Sequence, residues 1–433
     1  MDNVTLTSTW YPKDGVVLCL NGHNITLNAG DESNRAYVIM VQGVTFTLCD
    51  CQDRGTVTHG MSGDAKYIGG GVKVECEAYG TAQGNFALYG GSISGNTFAD
   101  YSSSYGAGVH LGYNAHFTMH GGTISDNSTE GNGGGVCVYD GTEGSFTMHG
   151  GSITDNSADS GGGVYVSNGS FTMTGGSITN NTADYSGGGV YVSDLATVTL
   201  SGAPAITGNK DADGSKNNVY LDKYYDETTF TIGAGGLSSS ASIGVTVDAG
   251  KLPTTDGGYV TVAKAAAGYT ITANDAERVS ADAGTDYTVQ KKDHALVLVK
   301  GEPPHEHPIC GATCTDGKHS KQYTWTPIST AAQLLAANQQ NGCYYLTKDI
   351  QLTSSWTLTA ASVCLCLNGH SIIANGDFDA VTIEKDVYAD LSICDCNGSG
   401  KGSGKITHAS GKTGSGVKIN RTGSFYLYGG SIT

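Results

Sequence analysis

Proline is scarce in this chain, 7 in 433 residues, and there is no Gly-X-Y period, so a collagen-like triple helix is excluded. No apolar run reaches the ~18 residues that a membrane-spanning helix needs. Positive charge is short as well: 23 Lys+Arg stand against 40 Asp+Glu, a formal net charge of -17. A chain of that sign repels phosphate backbones, so nucleic acid is excluded as a partner, and the excess serves to keep an extended β protein soluble. No Gly-rich stretch runs into Lys-Ser or Lys-Thr, which removes the phosphate loop.

Glycine, by contrast, is abundant: 65 residues, about twice the usual share of roughly 7%. Hydrophobic residues make up 38%, which suits a narrow core wrapped by turns better than a disordered chain. Twelve cysteines point to an oxidising compartment.

Self-similarity reveals the architecture. FALYGGSISGN from Phe86, FTMHGGTISDN from Phe117, FTMHGGSITDN from Phe146 and FTMTGGSITNN from Phe171 restate one segment. Between them stand GAGVHL, GGGVCV and two copies of GGGVYV, ending at Leu111, Val138, Val166 and Val192. Apolar residues alternate with polar ones, as in Phe171, Met173 and Ile178 against Thr172 and Thr174, so each repeat reads as short strands separated by Gly-rich turns. One repeat cannot bury its own apolar face, but stacked repeats make a continuous core. The pattern predicts an all-β fold, a right-handed parallel β-helix (solenoid) with a small β cap, followed by the start of a second β-helix. An asparagine follows each isoleucine by three residues (Asn96, Asn127, Asn156, Asn181, Asn209), and is expected to form a hydrogen-bonded ladder while accepting a left-handed turn conformation.

The repeats define the boundaries. Residues 1–221 form the first β-helix, 222–300 an irregular β cap, 301–328 a Cys/His linker, and 329–433 a helix cap and the start of a second β-helix. The cap helix is expected to start at Ser329 or Thr330, with Leu334 and Leu335 on one face. The second copy restates the first: DIQLTSSW matches NVTLTSTW, VCLCLNGHSI matches VVLCLNGHNI, and LSICDC matches FTLCDC. With repeats interrupted at both ends, the sequence reads as an excerpt of a longer tandem protein.

Taken together, the LNGH, CDC, GGGVYV, FTMxGGSITxN and NNVYL segments resemble Gly-rich β-helix regions of large bacterial cell-surface proteins of the adhesin-like kind. The GGSI and FTM pieces are similar to the GGAI-type repeats of polymorphic outer-membrane proteins. The resemblance implies a secreted or cell-surface bacterial rod and transfers no catalytic residue.

Candidate chemistry is sparse. Asp126 and Asp155 stack in successive repeats, and two nearby carboxylates are the minimum for glycoside hydrolysis, which keeps open a carbohydrate-active enzyme (polysaccharide lyase or glycoside hydrolase) on a lateral groove. Neighbouring repeats carry Gly95 and Asn180 at that place, which favours a solvated turn. His305, His307, Cys310, Cys314 and His319 have spacings that suit structural zinc, with a Cys310–Cys314 disulfide or free thiols as the other readings. No other cofactor is implied. Cys19, Cys49 and Cys51 recur as Cys366, Cys394 and Cys396. Cys19 is expected to face outward near the CDC turn and to form a disulfide with either Cys49 or Cys51, and thiolate metal binding by the CDC segment is the alternative. His23, His370, His59 and His408 lie at turns, and His120 and His149 form an exposed column. Thr118, Thr147, Thr172 and Thr199 raise ice binding, but no regular Thr-x-Thr plane is sustained. The residues between the inward valines, Lys73, His110, Cys137, Tyr165, Tyr191 and Tyr220, predict an outward column. Its three tyrosines would offer ring faces and hydroxyls to glycans or host and cell-surface proteins.

Overall fold

The computed structural model describes residues 2–29, 36–62, 65–66, 69–77, 82–98, 106–139, 144–222, 228–255, 258–284, 286–300, 306–307, 323–337, 342–359, 362–384, 389–396, 404–420 and 423–433. It is all-β, built on long parallel sheets, and divides into two compact units, Met1–Gly301 and Glu302–Thr433.

In the first unit each repeat supplies one strand to each of three long parallel ladders, and five repeats add a short fourth one, Thr97–Phe98, Ser128–Thr129, Ser157–Ser160, Thr182–Ser186 and Lys210–Asp211. The first ladder is led by phenylalanine and includes Thr45–Cys49, Gly84–Leu88, Ala115–Met119, Ser145–Met148, Gly169–Met173 and Ala196–Gly202. Register places like on like: Phe46, Phe86, Phe117, Phe146, Phe171 and Val198 stand in one column, and Leu88, Met119, Met148, Met173 and Leu200 in the next. The rings stack at 5.8, 5.0, 4.8 and 4.9 Å from Phe46 to Phe171, close to the natural spacing of neighbouring strands. A one-residue slip would exchange this column for the threonines beside it, so the pattern holds the register.

The second ladder stacks Ile93, Ile124, Ile153, Ile178, Ile206 and Ile243, and the third stacks Val72, Val109, Val136, Val164, Val190, Val219 and Val245. All three ladders bury their apolar columns in one continuous core. The glycines that precede each Val strand have a steric cause. A Cβ at Gly163 would lie 2.6 Å from the Gly189 carbonyl oxygen and 2.8 Å from Ile178 Cγ2, so the backbones of successive repeats pass too closely for any side chain.

Parallel pairing continues beyond the expected boundary at residue 221. Phe230–Leu237 lies on Ala196–Gly202, Ser242–Val247 spans both the Ile and the Val ladders, and Val279–Ala281 pairs with Ser242–Val247. Direction then reverses, with Ala295–Lys300 running antiparallel to both Tyr259–Ala265 and Tyr287–Lys292. The edge strand Tyr287–Lys292 ends in two exposed lysines, and Lys292 Nζ sits 3.5 Å above the Tyr259 ring. A charged edge discourages further strand addition.

The second unit repeats the plan. Thr326–Ile328, Gly342–Leu346, Ser362–Cys366, Asp390–Cys394 and Ser424–Leu427 form one parallel ladder. Ile350–Leu352 leads a second and Trp356–Leu358 a third. The expected helix is Ala331–Ala336, and of the two N-cap candidates Thr330 takes the position. Its side chain accepts from Gln333 N–H while Gln333 closes a capping box, and Leu334 is buried.

Candidate functional site: an outward tyrosine column

The column expected to face outward is in register throughout: Lys73, His110, Cys137, Tyr165, Tyr191 and Tyr220 are successive partners. Its exposure is not uniform, which corrects the expectation. His110 and Cys137 are buried, at 4% and 0% exposure. Gly106 donates its N–H to His110 Nδ1 at 3.4 Å, and Gly133 packs against Cys137 so closely that a Cβ there would fall 2.6 Å from Cys137 Cβ. Burial, helped by Lys73, lowers the His110 pKa to about 3, so this imidazole is neutral, and burial pushes the Cys137 thiol far up. The glycines preceding these two strands close over the middle of the column, which is half-buried at Lys73 and again from Tyr165 onward.

From there Tyr165, Tyr191 and Tyr220 are half-buried. Their rings stack at 4.9 and 5.6 Å with interplanar angles of 16°. The ring faces are therefore turned on one another, and the strip presents ring edges and hydroxyls rather than the faces expected from sequence. Tyr191 donates its hydroxyl to Asp222 Oδ2 at 2.8 Å and Tyr220 to Asp248 Oδ2 at 3.3 Å. Burial raises all three phenol pKa values, with the Asp222 carboxylate adding to the effect at Tyr191, so the strip consists of neutral phenols beside acidic acceptors.

Asp126 and Asp155 occupy a different kind of position. Both adopt positive φ, 56° and 57°, as do the equivalent Gly95, Asn180 and Gly208 at 68°, 58° and 74°. Gly, Asn and Asp are the residues that tolerate this conformation, so the turn selects the residue type. The asparagine that follows each of them is buried, and the left-handed conformation belongs to the residue before it. Each asparagine Nδ2 donates to the Oδ1 of the next at 2.9 Å from Asn96 through Asn209. Two groups invisible to the repeat pattern continue the chain: Asn209 donates to Asn218, and Asn218 to Asp282. At the other end His59 Nδ1 meets Asn96 Oδ1 at 3.0 Å.

The LNGH and CDC segments form a clamp that is present in both units. Asn21 and Gly22 take positive φ, as do Asn368 and Gly369. The Asp50 carboxylate lies between two cysteines and accepts from four backbone N–H groups: Gly22 at 2.7 Å, Gln52 at 3.0 Å, Arg54 at 2.8 Å and Gly55 at 2.6 Å. Burial alone would raise its pKa, but these N–H groups outweigh burial and hold it below the usual carboxylate range. Asp395 likewise accepts from Gly369 at 2.8 Å and Gly404 at 2.6 Å. Among the described residues Cys19, Asp50 and Cys51 bring ligand-type atoms within 4.8 Å of one another. With its oxygens committed to the backbone, Asp50 is a poor metal ligand.

Cys19 is exposed and Cys49 is its in-register neighbour. The equivalents Cys366 and Cys394 are buried with Cys343, Tyr345 and Trp325, and Cys364 and Cys396 pack against them. Cys366 Sγ lies 3.4 Å from Cys396 Sγ, and among the described residues no disulfide joins these cysteines. His120 and His149 are exposed and stacked at 5.2 Å, and His408 Nε2 lies 2.8 Å from the Phe378 carbonyl oxygen. His305, Cys310, Cys314 and His319 lie outside the described residues, and His307 is placed there by its backbone alone, in the strand Glu306–His307. No family model, curated protein or solved structure matches the chain. Among the described residues no helix is long and apolar enough to cross a membrane.

Proposed function

We propose that this chain is part of a secreted or cell-surface bacterial rod, and that its Tyr165–Tyr191–Tyr220 strip binds glycans or surface proteins. On this reading the three parallel ladders of the first unit are the walls of a right-handed parallel β-helix with a β cap, and the second unit is the start of another. In-register stacking of like residues supports the β-helix, and the right hand follows the general preference for parallel crossovers. The acidic surface and the number of cysteines support export, as does the likeness to bacterial surface repeats.

The observation that carries the binding role is the stack of neutral phenols flanked by Asp222 and Asp248. The Tyr191 and Tyr220 O–H protons are spent on these carboxylates, so the phenol oxygens and carboxylates together offer a row of acceptors to the hydroxyls of a sugar chain, or to the N–H groups of an extended protein segment, at the spacing of the strands. Because the ring faces are already paired, recognition runs through hydrogen bonds and ring edges, and each contact is modest. Useful affinity then comes from multivalency. The test is a Tyr165→Ser, Tyr191→Ser, Tyr220→Ser variant that keeps its circular dichroism spectrum, assayed on glycan arrays and on cells. Loss of binding supports the proposal. Unchanged binding by the folded variant removes the strip.

A further inference from the structure

The thiols of the LCLNGH and CDC segments are arranged alike in the two units although their surroundings differ. In the first unit Cys19 stands on the exposed side of its strand, with Cys51 Sγ within 4.8 Å. In the second, Cys366 is buried and its Sγ is 3.4 Å from Cys396 Sγ. The second cysteine of each CDC is held by the asparagine of the LNGH turn: Cys51 Sγ–H donates to Asn21 Oδ1 at 3.3 Å and Cys396 to Asn368 Oδ1 at 3.6 Å. The first cysteine of CDC also lies beside its partner, Cys49 by Cys19 and Cys394 by Cys366, but in the first unit Cys49 Sγ is turned to the Leu18 carbonyl, to which it donates at 3.5 Å.

We propose that Cys19 with Cys51, and Cys366 with Cys396, are one duplicated dithiol that closes to a disulfide by exchange with a low-molecular-weight disulfide, while Cys49 and Cys394 stay thiols. The exchange needs no other reactant. The Cys19 thiolate attacks one sulfur of the small disulfide, forming a mixed disulfide and releasing one thiol. Cys51 loses its proton and attacks Cys19 Sγ, releasing the second thiol. Two protein thiols are oxidised and one disulfide is reduced to two thiols. The clamp that Asp50 and Asp395 make across the LNGH turn holds each pair together, so little chain entropy is lost on closure.

The two copies should differ in rate. Backbone N–H groups of Cys51 and Asn21 hold the Cys19 thiol below its ordinary range, which favours the thiolate. Its hydrogen bond to Cys394, with burial, pushes Cys366 up to about 12. The exposed pair is therefore the fast one.

The experiment uses the full chain, reduced, freed of reductant, treated with glutathione disulfide, quenched by alkylation and mapped by mass spectrometry. Cys19–Cys51 and Cys366–Cys396 peptides are expected, the first forming at least tenfold faster, with Cys49 and Cys394 alkylated. In Cys51→Ser, Cys19 should accumulate as the glutathione mixed disulfide, whereas Cys49→Ser should close like the parent. Cys19–Cys49 or Cys366–Cys394 linkages overturn the proposal, as does a folded chain in which Cys19 and Cys51 stay alkylatable throughout. Zinc retained by the reduced chain at one equivalent, and lost in Cys19→Ser, also overturns it in favour of a thiolate metal site.

Discussion

Asn156 lies in the middle of the asparagine ladder, and truncating it to alanine tests what that ladder contributes. Its Nδ2 donates to the Ile124 and Thr154 carbonyls and to Asn181 Oδ1, each at 2.9 Å. Its Oδ1 accepts from the backbone N–H and Nδ2 of Asn127, at 3.1 and 2.9 Å. In Asn156→Ala, Asn127 Nδ2 keeps its bond to the Ile93 carbonyl, but the Asn127 N–H loses its acceptor inside the core. One orphaned N–H costs about 1–3 kcal/mol, and the weakened carbonyls and small void add to this. The expected loss is about 3 kcal/mol, a large share of the roughly 5–15 kcal/mol that holds a domain. Urea unfolding by far-UV circular dichroism reads the total, and hydrogen exchange should show protection falling in residues 123–181. Asp155 is the internal control. Asp155→Gly at φ 57° should shift stability by less than about 0.5 kcal/mol, and Asp155→Val should cost about 1–2 kcal/mol through the turn alone. An Asn156→Ala variant within 0.5 kcal/mol of the parent would refute the ladder as a stabilising element.

Two further outcomes follow from the same geometry. Asp50→Asn should destabilise the first unit at pH 7. Because the folded carboxylate titrates below the unfolded value of about 3.9, the stabilisation is complete above that pH and is lost as pH falls through the lower folded value. The gap between variant and parent in urea midpoint should therefore begin to narrow below about pH 4 and close as pH falls through the lower folded value, and a gap that stays constant down to the acid limit of folding would contradict the clamp. Gly163→Ala should cost more than about 2 kcal/mol because its Cβ meets backbone at 2.6 Å, whereas Gly214→Ala, in open space at φ 81°, should cost about 1 kcal/mol from turn strain alone. Equal midpoints for the two would remove close backbone approach as the reason for the glycine runs.

The stacking columns were legible because each repeat restates the same alternation, so Phe117, Phe146 and Phe171 could only be partners, and the asparagine ladder showed through its fixed offset from isoleucine. What escaped the sequence lacks that periodicity. Asn218, Asp282 and His59 extend the ladder from places outside the repeat. The parallel sheet runs past residue 221 without its glycine signature. Burial of His110 and Cys137 depends on glycine segments folding over them, and alternation alone marks both residues as outward. Repeat spacing sets the tyrosines in one column, but it carries no sign that their faces pair with one another. Asp50 was hidden between two cysteines that drew the chemistry to themselves, and its four N–H partners lie on turns that only the fold brings together.

The proposed β-helix is tested most directly by removing one repeat. If repeats stack as equivalent units, deleting residues 146–170 joins Ser145 to Phe171, and Phe171 takes the place of Phe146 on Phe117, as their shared column allows. Deleting residues 146–158 instead breaks the register of all three ladders. Circular dichroism and urea unfolding of the two proteins give the answer. The whole-repeat deletion should retain the β spectrum and a cooperative transition, and the partial deletion should lose both. Loss of structure in both variants, or its retention in both, would contradict the stacked-repeat account.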